Sequence, residues 1–303
     1  MSSRTPTQRK SPPWRVSRKL IGFLFVLPSV VFVLVMLVTP LCVTIWMSLH
    51  KWPLFGEIEF AGWHNYGKVF SDVQFWKSLW FTTEYTLTVT PLILGTAFCL
   101  ALLVKDGYRG VGLFRTAYFL PVVIGFAASS LLWVWMLNDQ LGIVNRILLD
   151  LGIIDAPVVW LGQKASALLS INLSVAWKVV GLSMIILLSG MQAISPEIME
   201  AASIDGAGGL RRMRHITIPM IRSSIALVLV ITVVGSYLAF DHFYIMTRGG
   251  PQNETITVVY WIFTNSFTYF KMGYGAALSM IVLVMLLVLS VAQIRLLEKN
   301  ERG

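Results

Sequence analysis

Polar residues along this chain gather into short clusters that separate long apolar runs. Six runs are long enough to cross roughly 30 Å of hydrocarbon at about 1.5 Å per helical residue: 20–49, 79–104, 113–137, 167–189, 224–246 and 272–294. The first and last carry no charge, and the others carry one Asp, Glu, Lys or Arg each: Glu84, Arg115, Lys178 and Asp241. Pro28, Pro40, Pro91, Pro121, Gly181 and Gly235 fall inside the runs, which membrane helices tolerate when neighbouring groups satisfy the freed backbone. The pattern predicts an all-α membrane protein of six transmembrane helices, in one domain over 20–297. A Ser/Pro/Arg-rich segment expected to be disordered, 1–19, precedes it and a short tail, 298–303, follows it. The connection 138–166 contains an amphipathic stretch, 142–151, with Ile143, Ile147, Leu148 and Leu151 at helical spacing. That spacing predicts a short helix lying at the membrane interface or under a docked partner.

Composition agrees with a bilayer setting. Of 303 residues, 56% are hydrophobic and 13% charged, about half the charge of a soluble domain. Charge then orients the runs. Placing 1–19 in the cytoplasm puts the segments 104–115, 190–223 and 295–303 there as well, with sixteen Lys and Arg against seven on the other side. This bias predicts that both termini are cytoplasmic. The net charge of +9 is scattered over loops, so it reads as topology and predicts no nucleic-acid partner. The first run is far longer than the core of a cleavable signal peptide. Cys42 and Cys99 fall at opposite membrane depths, which rules against a disulfide and predicts buried thiols.

The loop 190–223 reads GMQAISPEIMEAASIDGAGGLRRMRHITIPMIR. Ser195-Pro196-Glu197 is a helix start, with an N-cap hydroxyl, proline at the first position and an acid in the first turn. The helix is predicted from Pro196 to about Asp205, stopping at Gly206, which takes the left-handed conformation at low cost. A second run, 210–217, is predicted to end before Pro219. A ten-residue helix is marginal alone. Ile198, Ala201 and Ala202 share a face that a separate protein could cover, and Glu200 and Asp205 offer it carboxylates.

This loop resembles the EAA loop of bacterial ABC import permeases: Glu200-Ala201-Ala202, three residues, Gly206, nine residues, then Ile216-Thr217-Ile218-Pro219. The family usually has Leu at Ile218 and often an aromatic at Met213. Gly62-Trp63-His64-Asn65-Tyr66, Phe119-Leu120-Pro121 and Thr247-Arg248-Gly249-Gly250-Pro251 resemble the carbohydrate and glycerol-phosphate branch, as in maltose-type first permeases. The resemblance implies the Type I importer fold in a bacterial plasma membrane. It also implies a second homologous permease forming a heterodimer, two cytoplasmic ABC ATPase subunits that bind ATP and Mg, and an extracytoplasmic solute-binding protein. Glu200, Ala201, Ala202, Asp205, Gly206 and Pro219 become the ATPase-coupling residues.

No phosphate-binding G-x-x-x-x-G-K-[ST] loop occurs, His50, His64, His215 and His242 are scattered, and no H-E-x-x-H is present. These absences predict a chain with no catalytic residues, cofactor or metal of its own. Ionisable residues inside a span normally face a bundle interior or a wet cavity. With aromatics and amides near them, Asn172, Trp177, Lys178, Tyr237 and Asp241 form a candidate substrate path; Glu84, Lys178 and Asp241 could equally be polar glue between helices, and Asp241 could support the Gly-Gly-Pro turn. The alternative function is an ion- or proton-coupled secondary transporter using Glu84, Lys178 and Asp241 as a relay.

Overall fold

The computed structural model describes residues 18–53 and 55–299; the sequence-based readings of 1–17 and 300–303 lie outside these residues. The chain is helical nearly throughout. The first helical rod comprises α1 (Arg18–Val33), a wider turn over Leu34–Val38 and α2 (Thr39–Ser48). A small hairpin pairs His50 with Phe60 and Lys51 with Glu59, and α3 (His64–Ser71) leads into α4 (Val73–Val104). Next come α5 (Val111–Val123), α6 (Phe126–Met136), the amphipathic α7 (Ile143–Asp150) and α8 (Lys164–Gln192). The predicted loop contains α9 (Pro196–Ile204), α10 (Gly209–Arg212), a wide turn over Met213–Thr217 and α11 (Ile218–Met220). The chain closes with α12 (Arg222–Tyr237), α13 (Val258–Phe263) and α14 (Met272–Lys299).

Among the described residues, four helices are long and apolar enough to cross a membrane, and two bent pairs raise this to six if each counts as one span. The structure corrects two of the predicted runs. The run 113–137 is not one straight helix: α5 and α6 meet at a 100° bend, because Ile124 and Gly125 are extended, with ψ of 134° and 147°. The run 224–246 is not one continuous helix: α12 ends at Tyr237, residues 238–240 are non-helical, and a second helical segment runs from Asp241 through Thr247, so Asp241 lies beyond α12. Helix also continues through Pro219 to Met220, where a stop had been expected. In the preceding wide turn the Ile218 N–H already reaches back five residues to Met213 O, and Pro219, the next residue, has no N–H to place.

The core is built around α4 and α8, which pack along their lengths, with α5, α6 and α12 added. Tyr85, Val89, Ile93, Ile171 and Phe243 fill one end. Ala97, Ala101, Met184, Leu187 and Ile221 fill the other, close to the 193–221 connection. Alanines at four-residue spacing on α4 allow α8 to approach. Gly181 does the same for α5: a Cβ there would lie 2.2 Å from the Tyr118 carbonyl oxygen. A third cluster joins α3, α12, α13 and α14. By contrast, residues 22–48 bury no apolar side chain in this chain. Cys42 and Cys99 are free thiols on exposed positions, so the expected burial is not found: both sit on outward apolar helix faces.

Candidate functional site

The first candidate region is α9. Ser195 Oγ accepts from the Glu197 N–H at 3.3 Å and donates to the Glu197 carboxylate at 2.6 Å, a reciprocal cap that fixes the helix start. At the other end the Ala207 N–H reaches Ala202 O at 2.9 Å and the Gly206 N–H reaches Ser203 O at 3.1 Å. This paired closure requires the left-handed φ of 71° at Gly206. Nine residues would fray alone in water, and the two caps hold this turn count fixed. Arg212 Nη1 donates to Ser203 Oγ at 2.8 Å, tying the returning strand of chain to the helix.

The face that α9 shows departs from the predicted one at Ala202. Ala202 is buried, whereas Ile198 and Ala201 are exposed with Glu200 and Asp205. Ile204 is 87% exposed and Leu210 75%, an unusual cost for large aliphatic side chains beyond the ends of a membrane bundle. The base of the loop is rooted: Ile194 and Ile225 pack against the Met191–Ile221 end of the core. A Cβ on Gly190 would lie 2.3 Å from Ser224 Oγ, so α8 and α12 touch where the loop leaves and returns. A push on α9 therefore reaches the core through the short link 193–195 to α8, where Ile194 packs against the core.

The second region is the polar seam inside the bundle. Lys178 is buried, and its ammonium donates to Pro121 O at 3.4 Å, to Val122 O at 3.3 Å and to Ile124 O. It also lies 4.5 Å from the centre of the Phe126 ring. These are the carbonyls freed where α5 ends at the bend, so the cation satisfies the open C-terminus of that helix. Asn172 donates to Thr88 Oγ1 at 3.0 Å, and its own oxygen has no partner among the described residues. Trp177 is half-exposed and meets Trp133 edge to face at 6.1 Å. Tyr237 shares a 2.9 Å hydrogen bond with Thr83, joining α12 to α4. Glu84 accepts from Lys164 at 2.6 Å, joining α4 to α8. Asp241 is exposed, and the Gly249-Gly250-Pro251 turn is held instead by Thr255, which donates to Gly250 O at 2.6 Å. Asn172, Trp177 and Lys178 thus lie within two turns of α8, while Tyr237 and Asp241 sit on or beyond α12.

Sequence reasoning missed three polar contacts that fix this frame. Buried His242 bonds to buried Tyr85 at 3.2 Å. Thr82 accepts from the Val258 N–H at 2.9 Å. Asp72 accepts from Phe75 N, Trp261 Nε1 and Tyr274 OH at 3.0, 2.9 and 2.5 Å, gathering α4, α13 and α14 at one carboxylate. Burial acts to raise the Asp72 pKa, but those hydrogen bonds outweigh it and hold the carboxyl below its ordinary value. One signal was readable: Thr82, Thr86 and Thr90 repeat every four residues and are all buried, a polar stripe on one helix face.

No protein-family model matches the chain. It is 34% identical to the trehalose/maltose transport system permease protein MalF of Thermococcus litoralis over 274 residues, covering 89% of this chain and 90% of that one. It is 31% identical to the sn-glycerol-3-phosphate transport system permease protein UgpA of Agrobacterium fabrum, covering 93% and 96%. Its fold also matches a crystal structure of a bacterial alginate ABC transporter in complex with alginate pentasaccharide-bound periplasmic protein, with TM-score 0.75 and 22% identity over 91% of this chain and 93% of that one. With apolar helices able to cross the bilayer several times, the chain belongs to the ABC transporter permeases, multi-pass proteins of the plasma membrane, in the branch that holds the sugar and glycerol-phosphate permeases.

Proposed function

We propose that this chain is the non-catalytic permease half of a binding-protein-dependent ABC importer, carrying a sugar or glycerol-phosphate solute across six spans with both termini in the cytoplasm. It pairs with a second homologous permease. Two ABC ATPase subunits, which bind ATP and Mg, engage α9, and an extracytoplasmic binding protein delivers solute at the opposite end. The observation that carries this reading is α9 itself: a short helix, capped at both ends and linked to α8 by residues 193–195, with Glu200, Ala201 and Ile204 presented outward. A rigid helix with uncovered aliphatic side chains suits a groove on a soluble partner. Closure of the ATPases then moves α8 and α12 as a body and exchanges inward- and outward-facing states. Along the path, Trp177 and Asp241 meet the solute, while Asn172, Lys178 and Tyr237 build the wall.

A secondary transporter would require Glu84, Lys178 and Asp241 to relay charge. In the structure, however, Glu84 pairs with Lys164, Lys178 serves the α5 carbonyls, and Asp241 is exposed. Glu200→Lys and Gly206→Leu test the coupling role: each abolishes ATP-driven uptake while the chain still inserts. Normal uptake and normal stimulation of ATP hydrolysis in both variants would remove the basis for it.

A further inference from the structure

At the end of the bundle opposite α9, the first turns of α4, the start of α8 and the loop after Pro251 enclose a cleft of about 660 Å³. Trp76 and Trp80, one turn apart on the same face of α4, form one wall. Trp80 is 72% exposed. Gln252, Asn253 and Glu254 face them from the loop. Gln252 and Asn253 adopt left-handed φ values of 49° and 65°, which Asn tolerates better than most residues. The charges sum to zero: Lys164 pairs with Glu84 at 2.6 Å, and Lys77 and Glu254, which both line the cleft, carry one charge of each sign.

Tryptophan at this depth also suits a lipid interface. A lipid-facing belt does not call for two side-chain amides and a carboxylate across a cleft from the rings. An indole face opposite hydrogen-bonding groups is what a pyranose ring needs, because its C–H face is apolar and its hydroxyls both donate and accept. The absence of net charge favours an uncharged saccharide over a phosphate. We propose that this cleft is a carbohydrate subsite distinct from the α8 seam, holding one sugar ring against Trp80 with its hydroxyls on Asn253, Gln252 and Glu254. This inference rests on the proposed carbohydrate importer reading only for its role in transport, not for the binding itself.

The test uses the purified complex of this chain with its partner subunits in nanodiscs, labelled with 5-fluorotryptophan. The Trp76 and Trp80 fluorine resonances are assigned by Trp76→Phe and Trp80→Phe. Maltose, trehalose, lactose and sn-glycerol 3-phosphate are each titrated to millimolar concentrations, and uptake of the same four is measured in proteoliposomes. At least one disaccharide shifts the Trp80 resonance, and sn-glycerol 3-phosphate does not. Asn253→Gly, which keeps the left-handed backbone and removes the amide, weakens that binding about two- to tenfold without moving the resonance of the unliganded protein. If no disaccharide shifts either resonance, the subsite is refuted, even where one of them is transported. If sn-glycerol 3-phosphate shifts Trp80 as strongly as any sugar, the carbohydrate assignment is refuted. A shift by a disaccharide that the complex does not transport upholds the cleft and counts against the importer reading alone.

Discussion

Replacing Lys178 with methionine isolates what the buried cation does at the α5–α6 bend. Methionine fills nearly the same volume and removes the charge and all three donated hydrogen bonds. Pro121 O keeps the Ile124 N–H at 3.2 Å as a donor, while Val122 O and Ile124 O lose the ammonium. A hydrogen bond from a charged group contributes about 1.5–3 kcal/mol, so two amount to about 3–6 kcal/mol, with about 1 kcal/mol more from the Phe126 ring. Against this, methionine avoids the desolvation of a buried ammonium, a penalty of several kcal/mol that relaxation partly relieves. The net expectation is a loss of about 2–4 kcal/mol, roughly a 30- to 1000-fold change in the folding equilibrium. Titrating the lipid-embedded protein with a denaturing detergent, with tryptophan emission as readout, measures this directly. Lys178→Arg keeps the charge and is expected to lose less than half as much. A Lys178→Met protein within about 0.5 kcal/mol of the parent would refute the claim that the lysine sustains the bend.

Other substitutions probe separate joints. Gly181→Ala gains about 1 kcal/mol in helix propensity, but its Cβ meets backbone atoms of Tyr118 and Phe119 at 2.2 and 2.8 Å; overpacking of about 1–3 kcal/mol or more makes the net effect destabilising by detergent titration, and an increase in stability would show that α5 can move aside freely. Asp72→Asn leaves one acceptor oxygen for donors that now use two, with a loss of about 1–3 kcal/mol. Because the folded-state pKa of Asp72 is lowered, the parent's stabilisation is complete above the ordinary carboxylate pKa of about 3.9 and fades as pH falls through the folded value. The difference between parent and Asp72→Asn should therefore shrink on acidification below about pH 4; a gap independent of pH would contradict the assignment. Gly206→Asn, which tolerates the left-handed φ of 71°, keeps uptake near the parent level where Gly206→Leu abolishes it, and equal loss in both variants would point away from backbone conformation.

Hydropathy located the long helices well, because a span is defined by a property that sums along the sequence. The α5–α6 bend escaped it for the same reason: residues 113–137 are apolar on both sides of Ile124, and a 100° turn changes direction without changing composition. Pro121 and Gly125 were visible, but such residues also occur in straight spans. What decides the matter is Lys178, more than fifty residues away in sequence, and its reach to the freed carbonyls is a tertiary fact. The caps of α9 were legible in full, since Ser195, Pro196 and Gly206 act within a few residues of themselves. Its buried face was not: Ala202 turns inward while Ile198 and Ala201 stay exposed, and helical spacing alone puts all three on one face. Asp72 was passed over because a carboxylate at an N-cap looks complete without Trp261 and Tyr274.

The first rod packs chiefly at its far end, where α2 lies along α14 and Gly273 comes so close that a Cβ would meet the His50 carbonyl oxygen at 2.0 Å. That partner emerges from the ribosome more than two hundred residues later, a delay of about 10–50 s at ordinary elongation rates. For that interval residues 22–48 must persist as a solitary helix in lipid, which their uncharged surface permits. The same continuous apolar circumference that leaves this rod outside the core makes it self-sufficient during biogenesis. Closure of this side of the bundle therefore waits on the arrival of α14.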